Sequence, residues 1–137
     1  MARVAIVTGG TRGIGEAICL RLHKQGHQVI ANYGGNEEKA KAFTDRTGIP
    51  SIRWDVGDHE ACIHNCNDIA AEYGPVDIVI NNAGILVPGS LLTGDFDDIA
   101  TTFDINVFGP LRVARAFASL RTKRLSNPWK KHDNIPL

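Results

Sequence analysis

A chain of 137 residues suffices for one domain with a buried core, and its 43% apolar and 22% charged content excludes a disordered or fibrous protein. Net charge is zero but unevenly spread: residues 1–120 carry ten Lys/Arg against fourteen Asp/Glu, and residues 121–137 carry five against one. A body of that sign is not a nucleic-acid binder. No apolar run approaches membrane-spanning length, and Met1-Ala2-Arg3 leads straight into a strand rather than a signal peptide, so the expected location is cytoplasmic with no membrane partner. Three cysteines, Cys19, Cys62 and Cys66, form no disulfide framework and suit a reducing compartment.

The first element is the apolar run Val4–Val7, a buried strand. Thr8-Gly9-Gly10-Thr11-Arg12-Gly13-Ile14-Gly15 follows, then a helical pattern with apolar residues at Ile14, Ala17, Ile18 and Leu22, stopped by Gly26. His27 to Asn32 reads as the second strand, Tyr33-Gly34-Gly35-Asn36 as a turn, and 37–47 as a helix closed by Gly48. Ile49 to Trp54 reads as a third strand. Asp55-Val56-Gly57-Asp58 is a loop with Asp58 as N-cap of a helix over 59–73, stopped at Gly74-Pro75. Val76–Ile80 is the fourth strand, followed by Asn81-Asn82-Ala83-Gly84. Residues 96–120 read as helical, with a break near Gly109-Pro110.

Strict alternation of strands and helices predicts an α/β fold: a Rossmann-like parallel sheet with helices on both faces and strand order 3-2-1-4. Ligands of such sheets lie at the carboxyl ends of the strands, which here are the loops 8–15, 32–36, 55–58 and 81–86. The glycines of the first loop have separate tasks. Gly9 turns the chain off the strand, Gly13 lets backbone approach a pyrophosphate, and Gly15 lets the helix pack closely. The helix amino terminus then offers free N–H groups to phosphate.

Four motifs carry a family resemblance: Thr8-Gly9-Gly10-Thr11-Arg12-Gly13-Ile14-Gly15, Asp55-Val56, Asn81-Asn82-Ala83-Gly84, and Asn106 within Asp104-Ile105-Asn106-Val107. In that order and spacing they resemble the short-chain dehydrogenase/reductase family over residues 1 to about 120. The resemblance implies cofactor contacts from Gly9, Thr11, Arg12, Gly13, Ile14, Gly15, Asn32, Tyr33, Asp55, Val56, Asn82, Ala83 and Gly84. It also implies a proton-relay place for Asn106 and a subunit interface through the helices of 96–120. Within the family, Asn32-Tyr33-Gly34-Gly35-Asn36-Glu37-Glu38, Gly48-Ile49-Pro50 and Trp54-Asp55-Val56 are most similar to the bacterial acetoacetyl-CoA reductases, relatives of the 3-oxoacyl-carrier-protein reductases. An acyl-CoA or acyl-carrier-protein substrate is implied accordingly. The second strand ends in Asn32 rather than a carboxylate, and Arg12 can pair with a 2′-phosphate, so NADP(H) is favoured over NAD(H). The alternative for Arg12 is an ordinary solvated arginine.

The family's chemistry needs a Ser and a Tyr-x-x-x-Lys. Tyr33 is followed four residues on by Glu37 and Tyr73 by Asp77, so neither tyrosine has the lysine. The chain is expected to be a truncated form, inactive alone, with 121–137 an unstructured basic tail. A frameshift or premature stop would explain it. The alternatives are a nucleotide-binding or regulatory module that pairs with full-length reductase subunits, or a non-functional remnant. His59, Cys62, His64 and Cys66 tempt a metal reading, but Cys62 and Cys66 continue the apolar stripe of their helix with Ile69 and Tyr73, so no metal is expected. Asp95, Asp97 and Asp98 suit a helix start.

Overall fold

The computed structural model describes residues 2–90 and 92–124. Its elements are β1 (Val4–Val7), α1 (Gly13–Lys24), β2 (Gln28–Tyr33), α2 (Glu37–Thr47), β3 (Ser51–Arg53), α3 (His59–Tyr73), β4 (Val76–Ile80), α4 (Phe96–Phe103), a π-helical segment (Asp104–Phe108) and α5 (Gly109–Arg124). All strand pairs are parallel, in the order β3-β2-β1-β4 that the alternation predicts.

The period-two side-chain alternation of strands divides the core between two faces. Val4, Ile6 and Ile30 point to one face and pack with Cys62, Cys66 and Ile69 of α3 and Val113 and Phe117 of α5. Ala5, Val7, Val29 and Ala31 point to the other and pack with Cys19 of α1 and Phe43 of α2. The cysteines therefore serve as small apolar core residues, all three fully buried. Burial pushes the Cys19 and Cys66 thiols up to about 12, so both stay protonated.

Helix ends follow local chemistry. The Asn36 side chain accepts from Lys39 N to start α2, and Asp58 accepts from Ala61 N to start α3. Gly48 closes α2 in the left-handed conformation at φ 71°. β3 is shorter than the 49–54 read from sequence. Pro50 has no N–H, so the ladder to β2 begins at Ala31–Ser51, although the Pro50 carbonyl still accepts from Ala31 N at 2.9 Å. The expected break near Gly109-Pro110 falls earlier, as the π segment over 104–108, in which Gly109 N donates to Asp104 O. Pro110 cannot donate to the Asn106 carbonyl four residues back, so the distortion precedes the proline. α5 runs to Arg124, four residues past the boundary expected at 120. The rest of the expected tail, 125–137, lies outside the described residues.

Candidate functional site

The carboxyl ends of all four strands open on one edge. The ends of β1 and β4 are tied by Thr8, which is 1% exposed. Its N–H donates to Ile80 O at 3.0 Å, and its Oγ1 accepts from both Asn82 N and Ala83 N at 3.0 Å. Asn82 returns the favour through Nδ2, which donates to Thr8 O at 3.0 Å and Gly9 O at 3.2 Å. Asn82 thus shapes the glycine turn from behind. Gly9 makes that turn at φ 63°. A Cβ on Gly15 would fall on the Gly9 carbonyl oxygen, which shows how tightly α1 is drawn against the turn. Gly13, at φ 55°, faces open space.

The start of α1 differs from the starts of α2, α3 and α4. Those three are capped by Asn36, Asp58 and Asp95, whereas at α1 the N-cap residue Arg12 makes no side-chain cap bond. The first turn holds Gly13 and the exposed Ile14, and a helix start without a side-chain cap is the arrangement an anion can complete.

At the end of β2, Asn32 is 1% exposed. Its Oδ1 accepts from Gly9 N at 3.3 Å and its Nδ2 donates to Trp54 O at 2.9 Å. The side chain expected to meet a ribose is committed to joining the glycine turn to the end of β3. Tyr33, Gly34, Asn36 and Lys39 form the wall beyond it. At the end of β3, Asp55 Oδ1 accepts from Gly57 N at 2.8 Å and Asp55 O accepts from Asp58 N at 3.1 Å, a compact turn whose outer side is cleft wall. Val56 is 6% exposed and packed into the core, so this turn is anchored by its second residue.

Beyond β4, Ala83 and Gly84 line the cleft and Gly84 packs against the Asn106 amide. Asn106, on the π segment, accepts from Ile85 N and donates to Ile85 O, each at 2.8 Å. Both ends of its amide are used in holding that loop.

These walls enclose a cleft of about 620 Å³, within the ~300–1,000 Å³ common for small-molecule sites. Of the residues singled out in the sequence, Gly9, Thr11, Arg12, Asn32, Tyr33, Asp55, Val56, Ala83 and Gly84 line it. Gly13, Ile14 and Gly15 form the adjoining helix start, and Asn82 and Asn106 brace it from outside. The sequence reading missed Lys39, Trp54, Thr101 and Ile105, while Ile85 lies in the loop 81–86 that it singled out. Lys39 carried a usable signal: side chains at a helix start lean toward its N-terminus, here over the turn after β2. Among the described residues no cluster of three His, Cys, Asp or Glu could hold a metal, and no helix is long and apolar enough to cross a membrane.

A strand–glycine turn–helix unit, an uncapped helix start and a cleft built from four parallel strand ends define a dinucleotide-binding fold. The chain belongs to the short chain dehydrogenase family, whose family model matches residues 3–125. It is 55% identical over 85 residues to the acetoacetyl-CoA reductase of Rhizobium meliloti, covering 62% of this chain and 35% of that protein. A 3-oxoacyl-(acyl-carrier-protein) reductase of Staphylococcus aureus is 33% identical over 122 residues, covering 83% of this chain and 50% of the relative. Among solved structures, a blue fluorescent protein from a metagenomic library, in complex with NADPH, superposes with a TM-score of 0.78 at 33% identity, covering 85% of this chain and 50% of the other. The chain thus spans between a third and a half of the length of these relatives.

Proposed function

We propose that this chain is the NADP(H)-binding part of a reductase whose complete form reduces a 3-oxoacyl thioester, acetoacetyl-CoA or its carrier-protein counterpart. The observation that supports NADP(H) most is the pair Arg12 and Lys39. Both line the cleft beside Tyr33, Gly34 and Asn36, and neither makes an ion pair among the described residues. The sole carboxylate in the described lining, Asp55, lies at the end of β3 and is turned toward Gly57 N. Two cations and no carboxylate in the cleft lining at the β2 end favour a ribose carrying a 2′-phosphate over one carrying a free hydroxyl; Glu37 nearby is paired with Arg53 at 3.8 Å and does not line the cleft.

The residues fit the cofactor in other respects. The open space at Gly13 and the uncapped α1 start suit its pyrophosphate, and the apolar wall of Val56, Trp54 and Ile105 suits a flat base. The bound dinucleotide would supply hydride to a carbonyl. What this chain's residues do is bind, orient and shield it. The sequence holds no Tyr-x-x-x-Lys to move the accompanying proton, so binding without turnover is the expected behaviour. A second subunit in the complete protein is favoured by Phe96, Ile99 and Phe103, which share an exposed face of α4.

Titrating NADPH and NADH while following energy transfer from tryptophan to the nicotinamide tests this reading, with Trp129→Phe leaving Trp54 as the donor. NADPH should bind at least about tenfold tighter, and Arg12→Ala with Lys39→Ala should erase the difference. Equal affinity for the two cofactors in the unaltered chain would rule out the 2′-phosphate reading.

A further inference from the structure

We propose that Arg112 is a positioning residue for the cofactor cleft: it fixes the Asp55–Asp58 turn, one wall of the cleft, by holding the Val56 carbonyl from behind. The proposal rests on the dinucleotide reading of the cleft. Arg112 lies in the first turn of α5 and does not itself line the cleft.

Its guanidinium is fixed by a fork. Nη2 donates to Asp104 Oδ1 at 2.6 Å and Nη1 to Asp104 Oδ2 at 3.2 Å, with Asp104 O also 3.2 Å from Nη1. From that fixed position Nη1 reaches Val56 O at 3.5 Å. A single hydrogen bond of that length is weak. The guanidinium has already lost its rotamer freedom to Asp104, so little further ordering is needed to make it. The Cys62 thiol faces the same carbonyl at 3.7 Å, so the turn is approached from both α3 and α5.

The π segment carries this support to the cleft. A Cβ on Gly57 would meet Ile105 Cδ1 at 2.7 Å and Asp104 Oδ2 at 3.2 Å, so Asp104 and Ile105 press against the 55–57 wall. The next residue, Asn106, holds Ile85 on the opposite wall. Three consecutive residues of one turn therefore touch both sides of the cleft, and Arg112 locks that turn to the side formed by Asp55 and Val56. The two walls come from loops that share no backbone hydrogen bond in the described structure, and the turn bridges them in addition to the sheet.

Arg112→Met keeps the aliphatic stem and removes the fork. Two readouts decide. In the ligand-free chain, amide exchange at Gly57 and Asp58, whose N–H groups close the turn onto Asp55, should speed up about tenfold, while Ile6 and Ile30 in the sheet stay at the unaltered rate. Affinity for 2′,5′-ADP should fall about tenfold. Arg112→Lys, which keeps the charge without the fork, should lie between. A merely structural role would instead raise exchange throughout the sheet together with the turn. Unchanged exchange at Gly57 and Asp58 overturns the proposal, and so does unchanged affinity once the turn has loosened. If Arg112→Met does not unfold cooperatively, Arg112→Lys is judged by the same two readouts. If the unaltered chain shows no affinity for 2′,5′-ADP, the 2′-phosphate reading falls and the exchange rates alone decide whether Arg112 holds the turn.

Discussion

Asn32, Asn82 and Asn106 each use a side-chain amide as a two-ended brace. Residue type alone marks them as polar groups near strand ends. Which way each turns is set by partners far along the chain: Gly9 and Trp54 for Asn32, Thr8 and Gly9 for Asn82, Ile85 for Asn106. That long-range choice is not legible in the sequence, whereas the jobs of Gly9 and Gly15 are, because backbone sterics act locally. Asn32→Asp tests the brace. It exchanges the Nδ2 donor for an anionic acceptor facing the Trp54 carbonyl in a buried site, so unfolding free energy should fall by about 2 kcal/mol or more, read by urea denaturation. Retained stability would show that Asn32 is not held as described. The thiols set a pH limit. An exposed thiol titrates near 9.0, and burial pushes Cys19 and Cys66 up to about 12. Below pH 9 both folded and unfolded chains keep these protons and the stabilisation is complete. As pH rises from 9 toward 12 the unfolded chain releases protons that the folded chain retains, so stability is lost across that window. The urea midpoint should decline above pH 9, less steeply in Cys66→Ala, and a midpoint that rises there would contradict the burial.

Elements with local start and stop signals were read to the residue. α2 and α3 begin after side-chain caps and end at glycines, and β4 is framed by Pro75 and Asn81, so their bounds match expectation. The helical expectation over 96–120 stops four residues short of Arg124 and puts the irregularity too late, because sequence shows where proline sits but not how the preceding turn absorbs the missing donor. That π segment puts Asn106 against Ile85, and Asn106→Ala removes both 2.8 Å bonds. The loop from Gly84 to Ser90 should then exchange its amides faster, with a stability loss of about 1–2 kcal/mol. Unaltered exchange at Ile85 would show that the clamp is not what holds the loop.

At the scale of the molecule, strand order followed from the right-handed crossover rule and was fully legible. The exposed apolar face of α4 was not, since an amphipathic stripe in sequence predicts burial and Phe96 is 83% exposed. Such a face, and β4 as an outer strand of half-buried Ile78, Val79 and Ile80, leave apolar surface that other protein is suited to cover. Residues from the ends of all four strands and from the π segment line the cleft. The central claim is therefore about binding, and the most direct measurement is amide chemical-shift mapping during NADPH titration of the chain. Dinucleotide binding at this cleft predicts saturable shifts confined to Gly9–Gly15, 32–34, 55–57 and 83–85. Absence of saturable shifts, or shifts gathered instead around 87–95 and α4, would contradict it.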